Sequence, residues 1–119
     1  MKLKVKKLLP NAKLPTRAYQ FDLGYDLYAA EDIDLQSGEF KLVRTGLCME
    51  ADDEMIGFIT RDRSSMACKG IFSHAGVIDA GYRGEIKILL ENVNKTNFSI
   101  AFNACRPYIF HFLDNRYEV

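Results

Sequence analysis

The sequence predicts an all-β chain, a sandwich or barrel of roughly nine short strands. Three observations predict it. Apolar and β-branched residues recur in short alternating runs, as in Leu3-Lys4-Val5 and Phe40-Lys41-Leu42-Val43. Turn-forming clusters interrupt these runs about every eight to twelve residues. A single short stretch, near Ser64, has helical character.

Taken in order, residues 3–8 alternate Lys with Leu and Val and read as an amphipathic edge strand. Residues 9–16 hold Pro10 and Pro15, which a central strand does not accommodate, so they form a loop. Residues 22–30 follow with period two. Tyr25 and Leu27 share one face and Asp26 lies on the other. An acid inside such a strand is either part of a solvated outer face or a carboxylate linked to a metal.

Ser37-Gly38-Glu39 is a turn, residues 40–45 a strand, and a further strand begins at Gly46 and runs to Ala51. Asp52-Asp53-Glu54 is an acidic turn, more simply solvated than metal-binding because no other ligands cluster near it. Residues 55–60 return as a strand. Ser64 or Ser65 is placed to cap a short helix through Lys69. Ser hydroxyls and arginines at such a helix start suit a phosphate group, although a plain cap beside a surface arginine explains them equally well. Residues 85–93 alternate and end in the polar turn 92–97. Residues 98–102 and 108–113 supply the last strands.

At 119 residues this is one domain. Sixteen Lys and Arg balance sixteen Asp and Glu, so no global field favours nucleic acid or an anionic membrane. No apolar run approaches a membrane span, and the basic start lacks the apolar core of a signal peptide. Cys48, Cys68 and Cys105 form no Cys-x-x-Cys pair or zinc pattern, which suits reduced thiols and a cytoplasmic location. His74 and His111 stand apart from any ligand cluster.

The most informative stretch is Gly76-Val77-Ile78-Asp79-Ala80-Gly81-Tyr82-Arg83-Gly84-Glu85-Ile86. Its three glycines punctuate strand-like sequence and permit tight turns and close ligand approach. The pattern predicts a hairpin with Asp79 at its tip beside the ring of Tyr82. A carboxylate against an apolar wall can act as a general base on water; an Asp ahead of a glycine turn is also an ordinary turn residue.

Three blocks in order carry a resemblance: Gly24-Tyr25-Asp26-Leu27-Tyr28-Ala29-Ala30, Arg63-Ser64-Ser65-Met66-Ala67, and the stretch from Gly76 to Ile86. Together they resemble the trimeric deoxyuridine triphosphatases (dUTPases). The third block is the most specific, and the likeness runs from about residue 3 to 100. It implies a distorted jelly-roll β-barrel of the β-clip type, and a homotrimer with active sites at subunit boundaries. It also implies Mg²⁺-dependent hydrolysis of dUTP to dUMP and pyrophosphate, which limits uracil in DNA and supplies dUMP for dTMP synthesis.

By that resemblance Asp79 is the catalytic carboxylate that activates water against the α-phosphorus. Asp26 helps hold the hydrated Mg²⁺, a hard ion that keeps waters. Arg63, Ser64 and Ser65 are substrate-binding, with Arg63 and Ser64 on the phosphate chain. Tyr82 packs under the deoxyribose and leaves no room for a 2′-hydroxyl, and Ile78 shapes the same pocket. Backbone groups around Gly76 read the uracil edge. Ser73 is a further substrate-binding position by the same resemblance; it stands where the family often has Asn, which shifts the expected uracil contacts toward backbone.

The sequence also departs from the family pattern. Asn103-Ala104-Cys105-Arg106-Pro107-Tyr108-Ile109 shares almost nothing with the usual fourth motif, Gly-Asp-Arg-Ile-Ala-Gln-Leu. The glycine-rich arm of the fifth motif is absent from residues 114–119. Both departures lead to an expectation of weak turnover by the chain alone. Two other functions fit parts of the pattern. A dCTP deaminase shares the fold and the Arg-Ser-Ser block, but its usual Arg and catalytic Glu fall here on Cys68 and Leu89, with Glu91 two residues on. A catalytically silent nucleotide-binding module would keep the pocket and lose turnover.

Overall fold

The computed structural model describes residues 2–52 and 57–101, and the backbone of 108–112. The acidic turn at Asp53 and Glu54, the expected strand start at Met55, and the stretch holding Cys105 lie outside the described residues.

Eleven strands and one short helix follow one another among the described residues. They are β1 (Leu3–Lys7), β2 (Gly24–Leu27), β3 (Ile33–Leu35), β4 (Phe40–Arg44), β5 (Leu47–Ala51), β6 (Phe58–Asp62), α1 (Ser64–Ala67), β7 (Ile71–His74), β8 (Val77–Ile78), β9 (Lys87–Asn92), β10 (Phe98–Ile100) and β11 (Tyr108–Phe112). The all-β expectation holds. β3 and β7 are the strands the sequence did not reveal, because three or four residues are too few to display alternation.

The pairing is nested. β2 pairs with β11, β3 with β10 and β4 with β9, all antiparallel, so early strands meet late ones in reverse order. This is a long ribbon doubled back and rolled up, the arrangement of a jelly roll. Two longer sheets result, of order β2-β11-β6-β8 and β4-β9-β7, with the pairs β1-β5 and β3-β10 beside them.

One contiguous core fills the roll. Leu27, Leu35, Val43 and Leu47 are fully buried, and Phe58, Ile71, Ile86, Ile88 and Leu90 nearly so. In β2 the burial alternates as expected: Tyr25 and Leu27 point inward while Asp26 stays half-buried on the other face. The buried Asn92 donates its amide to the carbonyls of Leu35 and Thr96 and accepts the N–H of Asn94. A polar side chain in the core is thereby satisfied, and it ties the end of β9 to β3.

The short helix differs in detail from the expectation. Arg63, in extended conformation, occupies the cap position, and no side chain caps α1. Its carbonyl accepts the N–H groups of Met66 and Ala67, both at 2.9 Å. Ser64 and Ser65 are therefore the first two helical residues, both exposed. Met66 is the residue that pins the helix to the core.

Candidate functional site

The segment from Ala75 to Lys87 is a break between sheets. β8 pairs with β6, with Phe58 opposite Ile78 and Ile59 opposite Val77. β9 pairs instead with β4 and β7. The expected hairpin is therefore a crossover loop, because its two arms are claimed by different sheets. The turn at its tip is as expected: the N–H of Tyr82 donates to the carbonyl of Asp79 at 3.0 Å.

A cleft of about 470 Å³ opens along this break. The run from Ala75 through Gly76, Val77 and Ile78 to Asp79 lines one stretch of it, Tyr82, Glu85, Ile86 and Lys87 another, and Leu42 and Thr60 complete it. β8 is the terminal strand of its sheet, so its outer backbone edge carries no further strand among those described. Ala75 and Gly76, just before β8, have positive φ of 60° and 110°. Backbone held in this region is strained for a residue with a β-carbon, and such strain clusters at functional sites.

Tyr82 folds back on its own loop. Its phenol donates to the carbonyl of Glu85 at 2.9 Å. The ring lies so near Gly84 that a β-carbon there would stand 2.6 Å from the phenol oxygen. The carboxylate of Glu85 is held by Arg44, at the end of β4. Nε of Arg44 donates to both carboxylate oxygens at 3.1 Å, and a terminal nitrogen donates to Oε1 at 2.7 Å. That pair holds the Arg44 guanidinium above its already high ordinary pKa, chiefly through the hydrogen bond and then the charge of Glu85.

A second cleft, of about 380 Å³, gathers the other expected residues. Asp26, Arg63 and Ser64 line it with Ala18, Asp22, Leu23 and Gly24. The two clefts share no lining residue. The structure thus brings Gly76, Ile78, Asp79 and Tyr82 together, and separately Asp26, Arg63 and Ser64. Ser65 and Ser73 line neither cleft, and the N–H of Ser73 is taken by the carboxylate of Asp62. Glu91 is bonded to His74 at 2.6 Å and lines neither cleft. Sequence reasoning missed Thr60, Leu42 and the Arg44–Glu85 pair. Glu85 sits inside the quoted block, but its partner is 41 residues away and carries no motif.

Among the described residues no three His, Cys, Asp or Glu side chains converge as a metal site. The second cleft does offer hard oxygen donors, the carboxylates of Asp26 and Asp22 and the hydroxyl of Ser64. Two carboxylates and a hydroxyl make no closed cage, and they fit an ion that keeps most of its waters, as Mg²⁺ does.

Nested antiparallel pairing around an acid-edged cleft defines a class: a small jelly-roll chain with a pocket for a small molecule at a sheet edge. Comparison with known proteins narrows the class. The family model for dUTPase matches residues 10–105. The deoxyuridine 5'-triphosphate nucleotidohydrolase of Clostridioides difficile is 43% identical over 101 residues, covering 82% of this chain and 70% of that protein. The enzyme of the same name from Mycobacterium tuberculosis is 43% identical over 95 residues, covering 77% of this chain and 61% of its own length. The chain belongs to the dUTPase family, whose curated relatives are dUTP nucleotidohydrolases.

Solved structures agree on the fold. The dUTPase from phage phi11 of S. aureus superposes with a TM-score of 0.86 at 22% identity, covering 93% of this chain and 88% of that one. A mutant of the dUTPase of Staphylococcus bacteriophage 80alpha, solved with dUpNHpp, gives a TM-score of 0.85 at the same identity, covering 93% of this chain and 81% of that one. A further phi11 structure describes the coordination of a structural Mg(II) ion in that protein.

Proposed function

We propose that this chain hydrolyses dUTP to dUMP and pyrophosphate. The observation that carries the reading is the convergence of Gly76, Ile78, Asp79 and Tyr82 on one cleft. The outer edge of β8 offers backbone donors and acceptors at fixed spacing, which suits the polar edge of uracil as it would a pairing strand. Ile78 and Tyr82 supply the apolar walls for the sugar. Asp79, at the turn beyond β8, accepts a proton from water as the water attacks the α-phosphorus. The bond from that phosphorus to the bridging oxygen breaks, and pyrophosphate leaves with the electron pair.

Arg63 and Ser64 bind the phosphate chain, with charge-assisted hydrogen bonds from the guanidinium. Ser65 and Ser73 stand off both clefts in the single chain, so any part they play in binding is indirect. Asp26 and Asp22 are the carboxylates that would hold a hydrated Mg²⁺. When bound, that ion neutralises charge on the phosphate oxygens and helps orient the chain.

The division of these residues between two clefts supports a site shared by two copies of the chain, as in a homotrimer. Asp79 is exposed in the single chain, and a base of this kind gains from a dry surrounding. Leu42, Val77 and Tyr82 leave a large apolar rim around its cleft, the kind of surface that an assembly covers.

Deamination of dCTP fits less well. It calls for an acid on β9 near the pocket, whereas Leu89 occupies the expected position and Glu91 is engaged with His74. The test is pyrophosphate release from dUTP, with dCTP, dTTP and UTP as controls and ammonia followed in parallel. Release specific to dUTP is expected. Ammonia from dCTP, or no preference for dUTP, overturns the reading.

A further inference from the structure

We infer that the Arg44–Glu85 pair is a positioning device that sets where Tyr82 stands and thereby how strongly the pocket rejects a 2′-hydroxyl. The inference rests on the reading of Tyr82 as the floor of the deoxyribose site.

The Glu85 side chain is 9% exposed, while Arg44 is 43% exposed. A carboxylate that far from water is costly unless it is paired and hydrogen-bonded. Arg44 meets that need with three donor contacts in a planar fork, which fixes direction as well as distance. Arg44 is itself tied to the frame. It lies opposite Lys87 in the β4-β9 ladder, and its carbonyl accepts the N–H of Ala30 at 2.9 Å. The carboxylate of Glu31 stands 3.5 Å from its backbone nitrogen. The backbone of Arg44 is therefore a fixed point, and from it the guanidinium fork reaches and orients the Glu85 carboxylate.

Tyr82 is located in turn by Glu85, through the bond from its phenol to the Glu85 carbonyl. The ring is held at both ends: at its base by the turn from Asp79, and at its tip by this bond. Loss of the Arg44 fork leaves the Glu85 carboxylate without its partner. The side chain then turns toward solvent, its carbonyl tilts, and the ring gains room to retreat. A retreat of about an ångström admits the extra oxygen of a ribose.

The same loop is also tied to the core just beyond the pair. The next residue, Ile86, is buried, donates its N–H to the carbonyl of Leu47, and accepts from the hydroxyl of Thr45. The Glu85 carbonyl and the Ile86 N–H share one planar peptide unit, so a tilt of that carbonyl also strains the bond to Leu47, and a lower unfolding midpoint should accompany the loss of preference.

Binding of the non-hydrolysable α,β-imido analogues of dUTP and UTP, measured by calorimetry on the full chain, tests the inference. The variants are Arg44→Met, Arg44→Lys, Glu85→Gln and the Met/Gln double variant, with unfolding midpoints recorded alongside. Wild type should prefer the deoxy analogue. Arg44→Met and Glu85→Gln should each lower that preference by roughly five- to tenfold, and the double variant should lower it no further. Arg44→Lys should restore part of it. An unchanged preference in Arg44→Met or Glu85→Gln overturns the inference, even if the midpoint falls, because the pair is then structural only. Additive losses in the double variant also overturn it. If wild type binds neither analogue, the nucleotide site itself is wrong and the inference falls with it, a result distinct from intact wild-type discrimination that the variants leave unaltered.

Discussion

The backbone N–H of Thr60 donates to the carbonyl of Gly76 at 2.8 Å, and a β-carbon on Gly76 would stand 2.6 Å from the carbonyl oxygen of Thr60 and 2.7 Å from its hydroxyl. Strand β6 thus presses directly against the bend that starts the cleft. The φ of 110° at Gly76 adds a second demand that only glycine meets at no cost. Gly76→Ala is therefore expected to destabilise the fold by about 2 kcal/mol or more, since the obstruction is backbone and does not yield. Gly81→Ala is the control: nothing lies within 4 Å of its added β-carbon and its φ is not positive. Its effect should stay within about 0.5 kcal/mol. Thermal unfolding of the two variants checks both values.

Asp79 lines the same cleft a few residues on, beyond β8. If it is the base, Asp79→Asn keeps its size and removes the lone pair that takes the proton. Pyrophosphate release from dUTP should fall by roughly 100- to 10,000-fold, while the non-hydrolysable analogue still binds within a few-fold of wild type. A matching loss of binding would instead make Asp79 a substrate ligand or a plain turn residue. Single-turnover rates measured beside calorimetric affinities separate these outcomes.

How much of this was legible in the sequence depended on range. The inward face of Tyr25 and Leu27 followed from period two, and so did the opposite placement of Asp26. The turn from Asp79 to Tyr82 followed from local chemistry. Partners of strands did not: residues on either side of that turn look like one hairpin, yet Ile78 pairs with Phe58 and Leu89 with His74 and Leu42. Pairing is decided by the roll of the whole chain, and alternation within a segment carries no record of its neighbour. The cap at α1 falls on Arg63, ahead of both candidate serines, for a related reason. Arg63 arrives from β6 already extended, so the helix starts where the strand stops. The Arg44–Glu85 pair was invisible because charge alone does not say which of the chain's acids a given arginine will meet.

Gly84 gives a sharper test of the ring of Tyr82. A methyl group there would stand 2.6 Å from the phenol oxygen and 2.8 Å from the carbon that bears it. Both atoms belong to the end of a side chain that is 47% exposed, so the ring can swing away. No positive φ is required at Gly84. Gly84→Ala should therefore cost less than about 1 kcal/mol of stability. It should nonetheless weaken binding of the deoxynucleotide analogue by about tenfold, through loss of the sugar floor. Unchanged affinity would show that the ring does not contact the sugar.

A shared site makes a quantitative prediction about mixed assemblies. Asp79 and Arg63 line different clefts in the single chain. Let chains carrying Asp79→Asn be unfolded and refolded together with chains carrying Arg63→Ala, in equal amounts. Each variant alone lacks one half of every site. In a mixed cyclic assembly a site is whole only when its Asp79 comes from an Arg63→Ala chain and its Arg63 from an Asp79→Asn chain. Random association gives each condition a chance of one half, so about one quarter of wild-type activity should return. A site contained within one chain returns none, whatever the mixing. Measuring pyrophosphate release before and after co-refolding, with the assembly state followed by light scattering, distinguishes the two arrangements.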